Sequence, residues 1–202
     1  MQKAKEYQTI NYRSDGTIKS IIEFDPSTGK TIKQTFYQPD GTTVDSIIEF
    51  NPSTGEPVKT INYRSDGTIK SIIEFDPSTG KQVKATKCRS DGTIYSITEF
   101  NPSTGKLVKA TIFQQDGTTV DYISEFNPST GEPVKTINYR SDGTIYSIIE
   151  FDPSTGELVK TTIYQPDGTT VDYISEFDPN TGELVKETNY HPDGTISDIF
   201  NF

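Results

Sequence analysis

Two glycine-ended turn motifs alternate along the whole chain at a fixed beat, and this beat constrains the fold more than any other feature. Asp-Gly ends at Gly16, Gly41, Gly67, Gly92, Gly117, Gly143, Gly168 and Gly194, with spacings of 25, 26, 25, 25, 26, 25 and 26 residues. A second motif, Glu-Phe-(Asp/Asn)-Pro-(Ser/Asn)-Thr-Gly, ends at Gly29, Gly55, Gly80, Gly105, Gly131, Gly156 and Gly182. Each of these glycines stands 12 residues before the next Asp-Gly glycine. Such a period marks tandem repeats, each a single supersecondary unit.

Both motifs read as turns for a physical reason. In Gln38-Pro39-Asp40-Gly41, proline presets φ for the first turn position and glycine supplies φ > 0, the pattern of a type I turn closed by a glycine bulge. In Asp25-Pro26-Ser27-Thr28-Gly29, Asp25 can accept backbone N–H groups ahead of the proline. Two turns per repeat define two strands: an A strand like Thr17–Phe24 and a B strand like Lys30–Tyr37, eight of each from Glu6–Tyr12 to Thr195–Phe202. The connections are short, so sequence neighbours are expected to pair antiparallel.

The spacing therefore predicts an all-β chain, residues 1–202 forming a single array of 25–26-residue β-hairpin units in a 16-strand antiparallel meander. Strict alternation would put Phe24, Ile22, Ser20 and Ile18 on one face and Glu23, Ile21, Lys19 and Thr17 on the other. Neither face is a clean hydrophobic wall, which disfavours two packed sheets. An elongated, twisted single-layer sheet held by cross-strand ladders is expected, with a closed barrel or solenoid as the alternative because so wide an open sheet is unusual. The strands that begin at Thr42, Thr118 and Thr169 have one residue more between glycine and phenylalanine than the others. That residue requires a bulge or a changed turn.

Composition agrees with a thin-cored β protein. Leu, Ile, Val and Phe make up about 23% of the chain, just above the roughly 20% below which chains tend to stay disordered. Ile dominates, whereas Leu and Ala are scarce. No stretch is long and apolar enough for a membrane-spanning helix, and the N-terminus runs into repeat sequence without a leader pattern. The net charge of −10 argues against nucleic acid and anionic membrane as partners.

Candidate chemistry is sparse. Cys88 stands where sister repeats carry Tyr12, Tyr63 or Tyr139, and His191 where they carry Gln38 or Gln165, so both read as structural replacements. Carboxylate pairs such as Glu23 with Asp25 and Glu150 with Asp152 recur in nearly every unit, unlike a catalytic pair in a single cleft. No enzyme and no cofactor is therefore expected. Calcium at the Asp-Pro-Ser-Thr-Gly turns is the better rival, but three of these turns carry Asn51, Asn101 or Asn127. Asn keeps a capping acceptor and loses the charge calcium needs, so no metal site is assigned.

The charge is lopsided. Up to Asn101 the chain has 13 basic and 13 acidic residues; beyond it there are 6 and 16. Tyr95 and, beyond Asn101, Tyr146 stand where earlier repeats carry Lys19 and Lys70, and Tyr122 and Tyr173 where Ser46 stands. Tyrosine is enriched at binding hot spots, and an acidic setting steers a basic partner. Tyr95, Tyr122, Tyr146 and Tyr173 are the candidate binding residues for a protein partner with a basic surface. Glycan binding or surface adhesion by the tyrosines is the alternative. The last strand, rich in Ile and Phe, is expected to meet another chain or to pack back on the array, because an unprotected edge templates association.

The alternation of Asp-Gly-Thr with Glu-Phe-(Asp/Asn)-Pro-Ser-Thr-Gly, with tyrosine three residues before many Asp-Gly pairs, resembles a tandem-repeat family of uncharacterised function from phytoplasmas, wall-less plant-infecting bacteria. The resemblance covers nearly the whole chain and implies a protein exported toward the host cell. The hairpin-per-repeat layout is also similar in architecture to MORN-type repeats, which form elongated single-layer sheets. The chain lacks their Gly-x-Trp-type pattern and contains no tryptophan.

Overall fold

A computed structural model of the chain describes residues 7–202. The predicted start of the first strand at Glu6 lies outside them. Sixteen strands follow one another in the sheet in chain order, an open antiparallel meander and not a closed barrel. The first unit, Met1–Ile94, carries β1 (Gln8–Tyr12), β2 (Ile18–Phe24), β3 (Thr31–Tyr37), β4 (Val44–Phe50), β5 (Pro57–Tyr63), β6 (Ile69–Phe75) and β7 (Gln82–Cys88). The second, Tyr95–Phe202, takes nearly all of β8 (Ile94–Phe100), then β9 (Leu107–Phe113), β10 (Val120–Phe126), β11 (Pro133–Tyr139), β12 (Ile145–Phe151), β13 (Leu158–Tyr164), β14 (Val171–Phe177), β15 (Leu184–Tyr190) and β16 (Ile196–Asn201). Among the described residues no helix is long and apolar enough to cross a membrane.

The turns form as their residues dictate. All fifteen glycines have positive φ, and all end one of the two motifs. At the Asp-Gly turns, Gly16 N–H donates to Arg13 O (3.0 Å) and Arg13 N–H to Thr17 O (2.8 Å). In the longer class Gln38 N–H reaches Thr43 O instead (2.8 Å), so the extra residue sits in the turn and β4 keeps the seven residues of β2. The glycine of this longer turn is crowded as well as left-handed. A Cβ on Gly41 would lie 2.8 Å from Thr17 Cβ, and one on Gly168 2.7 Å from Thr144 Cβ.

Pairing corrects the simple alternation of faces. Tyr12 pairs with Ile18 but Asn11 with Ser20, so Lys19 is bulged out and Ile18 falls on the Ile21 face, not with Ser20. The same shift recurs beside the longer turns, where Tyr37 pairs with Val44 and Phe36 with Ser46. One face then carries a charge ladder in which Glu and Lys alternate strand by strand, from Glu23 through Lys33, Glu49, Lys59 and Glu74 to Lys84 in the first unit. It runs likewise from Glu99 to Lys186 in the second. Nζ–Oε separations of 2.8–4.0 Å mark ion pairs at four steps, each exposed and worth at most about 1 kcal/mol. Beside it runs a row of Ile and Thr, and beyond that Tyr–Ile and Tyr–Val pairs such as Tyr139–Ile145 and Tyr164–Val171.

No hydrophobic side chain among the described residues is buried. The covered side chains are small hydroxyls, Ser20 and Ser147 at 3% exposure among them. In a single layer a large side chain reaches past its neighbours into water, whereas a serine is overshadowed by theirs. Ser147 is also held by Asn138 Nδ2, which donates to its Oγ at 2.9 Å. Repeats are stapled to one another along both edges. Arg140 donates to Ile145 O and to Tyr164 O, both at 2.5 Å, bridging one hairpin turn to the next repeat. At the opposite edge Lys106 Nζ donates to Ser129 O (2.7 Å) and Thr130 O (2.9 Å).

Candidate binding surface

The bulge that displaces Lys19 in β2 displaces Tyr146 in β12, since Tyr139 pairs with Ile145 and Asn138 with Ser147. Ser147 pairs with Ile163 on β13, and Ile163 with Tyr173 on β14. Tyr146 and Tyr173 therefore flank Ile163 from either side. Together with Pro166, Pro192 and Asp172 they line an open depression of about 550 Å³. Arg140 lies at its wall, its guanidinium carbon 5.4 Å from the Tyr146 ring centroid.

Burial is the first cause that pushes the Tyr173 phenol above its ordinary pKa; the neighbouring Tyr146, Glu187 and Asp172 add to it. Glu187 and Asp172 are the carboxylates that act on the Tyr173 phenol. Tyr146 keeps 49% of its surface exposed. The lining combines Ile163 and two prolines with three tyrosines, and adds Asp172, Arg140 and Gln165 as its polar groups.

Of the four tyrosines singled out from sequence, the structure brings Tyr146 and Tyr173 into one depression. Tyr95 precedes Ser96 as Tyr146 precedes Ser147, and Ser96 and Tyr122 both pair with Ile112 on β9. Tyr95 and Tyr122 therefore hold the strand positions about Ile112 that Tyr146 and Tyr173 hold about Ile163, and the four do not gather into one site. Sequence reasoning missed Ile163, Asp172 and Arg140. Their signal was a 51-residue period: Tyr95, Ile112, Asp121 and Tyr122 recur as Tyr146, Ile163, Asp172 and Tyr173. A larger depression of about 850 Å³, lined by Tyr7, Phe24 and Ile32 among others, lies beside β1.

The turn carboxylates act as caps. Asp25 Oδ1 accepts from the N–H of Ser27 (2.9 Å) and Thr28 (2.8 Å) and from the Ser27 hydroxyl (2.5 Å), and these bonds pull its pKa to about 2. Asn51 keeps the Ser53 N–H bond at 2.8 Å, so amide and acid serve the turn alike. Among the described residues no three His, Cys, Asp or Glu side chains are grouped to hold a metal ion. Cys88 is half-buried on β7 with its carbonyl capped by Arg64, and His191 opens the turn after β15.

The repeat itself is a known one. The DUF2963 family, a protein family of unknown function, matches residues 12–62, 37–87, 63–112, 88–138, 113–163 and 164–202. The chain belongs to the DUF2963 family. Successive matches start one or two hairpin repeats apart, and most span two of them. No curated protein matches the chain. Among solved structures, TarM is similar to 46% of the chain at 19% identity and a TM-score of 0.34, a match that takes in 18% of TarM. A porin-like protein from Bacteroides uniformis is similar over 96% of this chain and 86% of its own, at 13% identity and a TM-score of 0.28. At such TM-scores neither likeness carries an argument.

Proposed function

We propose that this DUF2963 chain is a non-enzymatic binding protein whose second unit presents a tyrosine-flanked depression, in an acidic setting, to a protein partner with a basic surface. The observation that carries this is the convergence of Tyr146 and Tyr173 about Ile163, with Asp172 in the lining. The setting supports it. The second unit has 6 basic and 17 acidic residues, net −11, against 13 and 12 in the first. Aromatic side chains offer rigid contact area, and surrounding charge of one sign steers a partner of the other. The recurring carboxylates are engaged in turn capping, as Asp25 is, or in the charge ladder, as Glu23 is, which supports a role without catalysis. The likeness to phytoplasma repeats supports export toward a host cell.

Chemical crosslinking of the full chain to its partner in host extract, followed by identification of the crosslinked protein, tests the role. The adduct is expected on the second unit and is expected to be lost in the Tyr122→Ser, Tyr173→Ser double variant. An unchanged adduct would remove the tyrosines from the function. Glycan binding is the second reading, favoured by the half-exposed Tyr146 ring. Saturable binding to an oligosaccharide array that disappears in the same variant would put it first.

A further inference from the structure

The tyrosine pair occurs twice in the second unit, and the two copies stand in a fixed relation. One flanks Ile112 across β8, β9 and β10; the other flanks Ile163 across β12, β13 and β14. Their centres, on β9 and β13, are four strands apart within one unit. Strands are spaced by about 4.8 Å, so the centres lie ~19 Å apart. We propose that the two pairs form one bivalent site for an extended basic peptide segment that crosses the strands and places an arginine or lysine at each. An extended chain advances about 3.3 Å per residue, so the two cationic side chains would be about six residues apart. This rests on the protein-binding role proposed above and adds to it the partner's chemistry and spacing.

Three observations commit the site to a cation on an extended chain. Each tyrosine pair has an aspartate next to it in the strand, Asp121 beside Tyr122 and Asp172 beside Tyr173. The cation at the second depression, Arg140, is tied by its two guanidinium nitrogens to Ile145 O and Tyr164 O, which leaves it a poor anion receptor. Its position over the Tyr146 ring is a guanidinium–tyrosine pairing of the kind a peptide arginine would make with Tyr173. The openness of a single layer lets a peptide lie across several strands with no groove walls to cross. The copies are unequal. Glu187 and Pro192 attend the second, where the 51-residue period places Thr136 and Ser141 beside the first. The Ile163 site is therefore the stronger.

The test uses the full chain and fluorescently labelled Gly/Ser peptides carrying one arginine, two at positions i and i+3, or two at i and i+6, at physiological salt. The i/i+6 peptide is expected to bind at least tenfold tighter than either of the others, one per chain, and the single-arginine peptide two per chain. Tyr122→Ser should reduce the i/i+6 peptide to single-arginine affinity, and Tyr173→Ser should weaken it further. Serine is already accepted at this position, as Ser46 shows, so the variants keep the fold. Equal affinity for the i/i+3 and i/i+6 peptides, with Tyr173→Ser still abolishing both, would overturn bivalence and leave the single-site role standing. Affinities indifferent to both substitutions would overturn the two together.

Discussion

Around β3 in the first unit, Lys19, Phe36 and Ser46 occupy the positions that Tyr95, Ile112 and Tyr122, and again Tyr146, Ile163 and Tyr173, occupy in the second. The backbone beneath is the same: seven-residue strands, one bulge per hairpin beside the Asp-Gly turn, and an arginine at each preceding turn that reaches the next repeat. Even the aspartate is in place, as Asp45. The first unit is thus a frame on which two side chains have not been changed to tyrosine. A sheet without a buried core lets its display vary without disturbing its support.

If the frame is common, damage to it must hurt both units alike. Gly41→Ala and Gly168→Ala each force a side chain into a left-handed position against the backbone of the previous turn, at Ile18 N (2.9 Å) and Ile145 N (3.0 Å). Each should cost about 2–4 kcal/mol in chemical denaturation. Gly143→Ala, with nothing near its Cβ, should cost about 1–2 kcal/mol. A clear difference between Gly41→Ala and Gly168→Ala would show that the units are not built on one frame.

The display can be moved. Lys19→Tyr with Ser46→Tyr should create a third site, raising the stoichiometry of the single-arginine peptide from two to three per chain, with an affinity gain at that site of about tenfold, or ~1.4 kcal/mol. No gain would mean that the acidity of the second unit, and not its tyrosines, captures the cation.

Acid should not separate the units. Each has six capping aspartates with depressed pKa: Asp15, Asp25, Asp40, Asp66, Asp76 and Asp91 in the first, and Asp116, Asp142, Asp152, Asp167, Asp178 and Asp193 in the second. A folded-state pKa below the ordinary 3.8 contributes stability that is present above that value. The contribution is lost as pH falls toward about 2, the pKa of Asp25, Asp40, Asp76, Asp116 and Asp167. Hydrogen exchange at pH 5 and pH 2.5 should show protection falling in both units together. The smallest effect belongs to the charge ladder. Lys160→Ala, which breaks an exposed pair at 3.5 Å, should change stability by less than about 0.5 kcal/mol.

Much of the frame was legible in the sequence because each turn announces itself. Asp25, Pro26 and Gly29 have one local job, and their recurrence placed every strand to within a residue or two. The bulge at Lys19 was not legible, because it comes from the geometry of a hairpin whose turn glycine shifts the register, and strict alternation put Ile18 on the wrong face. For the candidate site, the tyrosine substitutions stood out against the repeat, but their pairing did not. Tyr146 and Tyr173 belong to different hairpins, and only the lateral register through Ile163 shows that they meet.

Residues 49–69 recur unchanged at 125–145, a duplication of coding sequence that has had little time to diverge. Because no hydrophobic side chain among the described residues is buried, a copied block need match only the edges of its two neighbours, and the repeats offer like edges. Recombination between copies can therefore lengthen or shorten the gene in whole units and still yield a folded product. Lineages would then differ in how many tyrosine-bearing pairs they carry, and under the proposed role selection would tune partner affinity by counting copies.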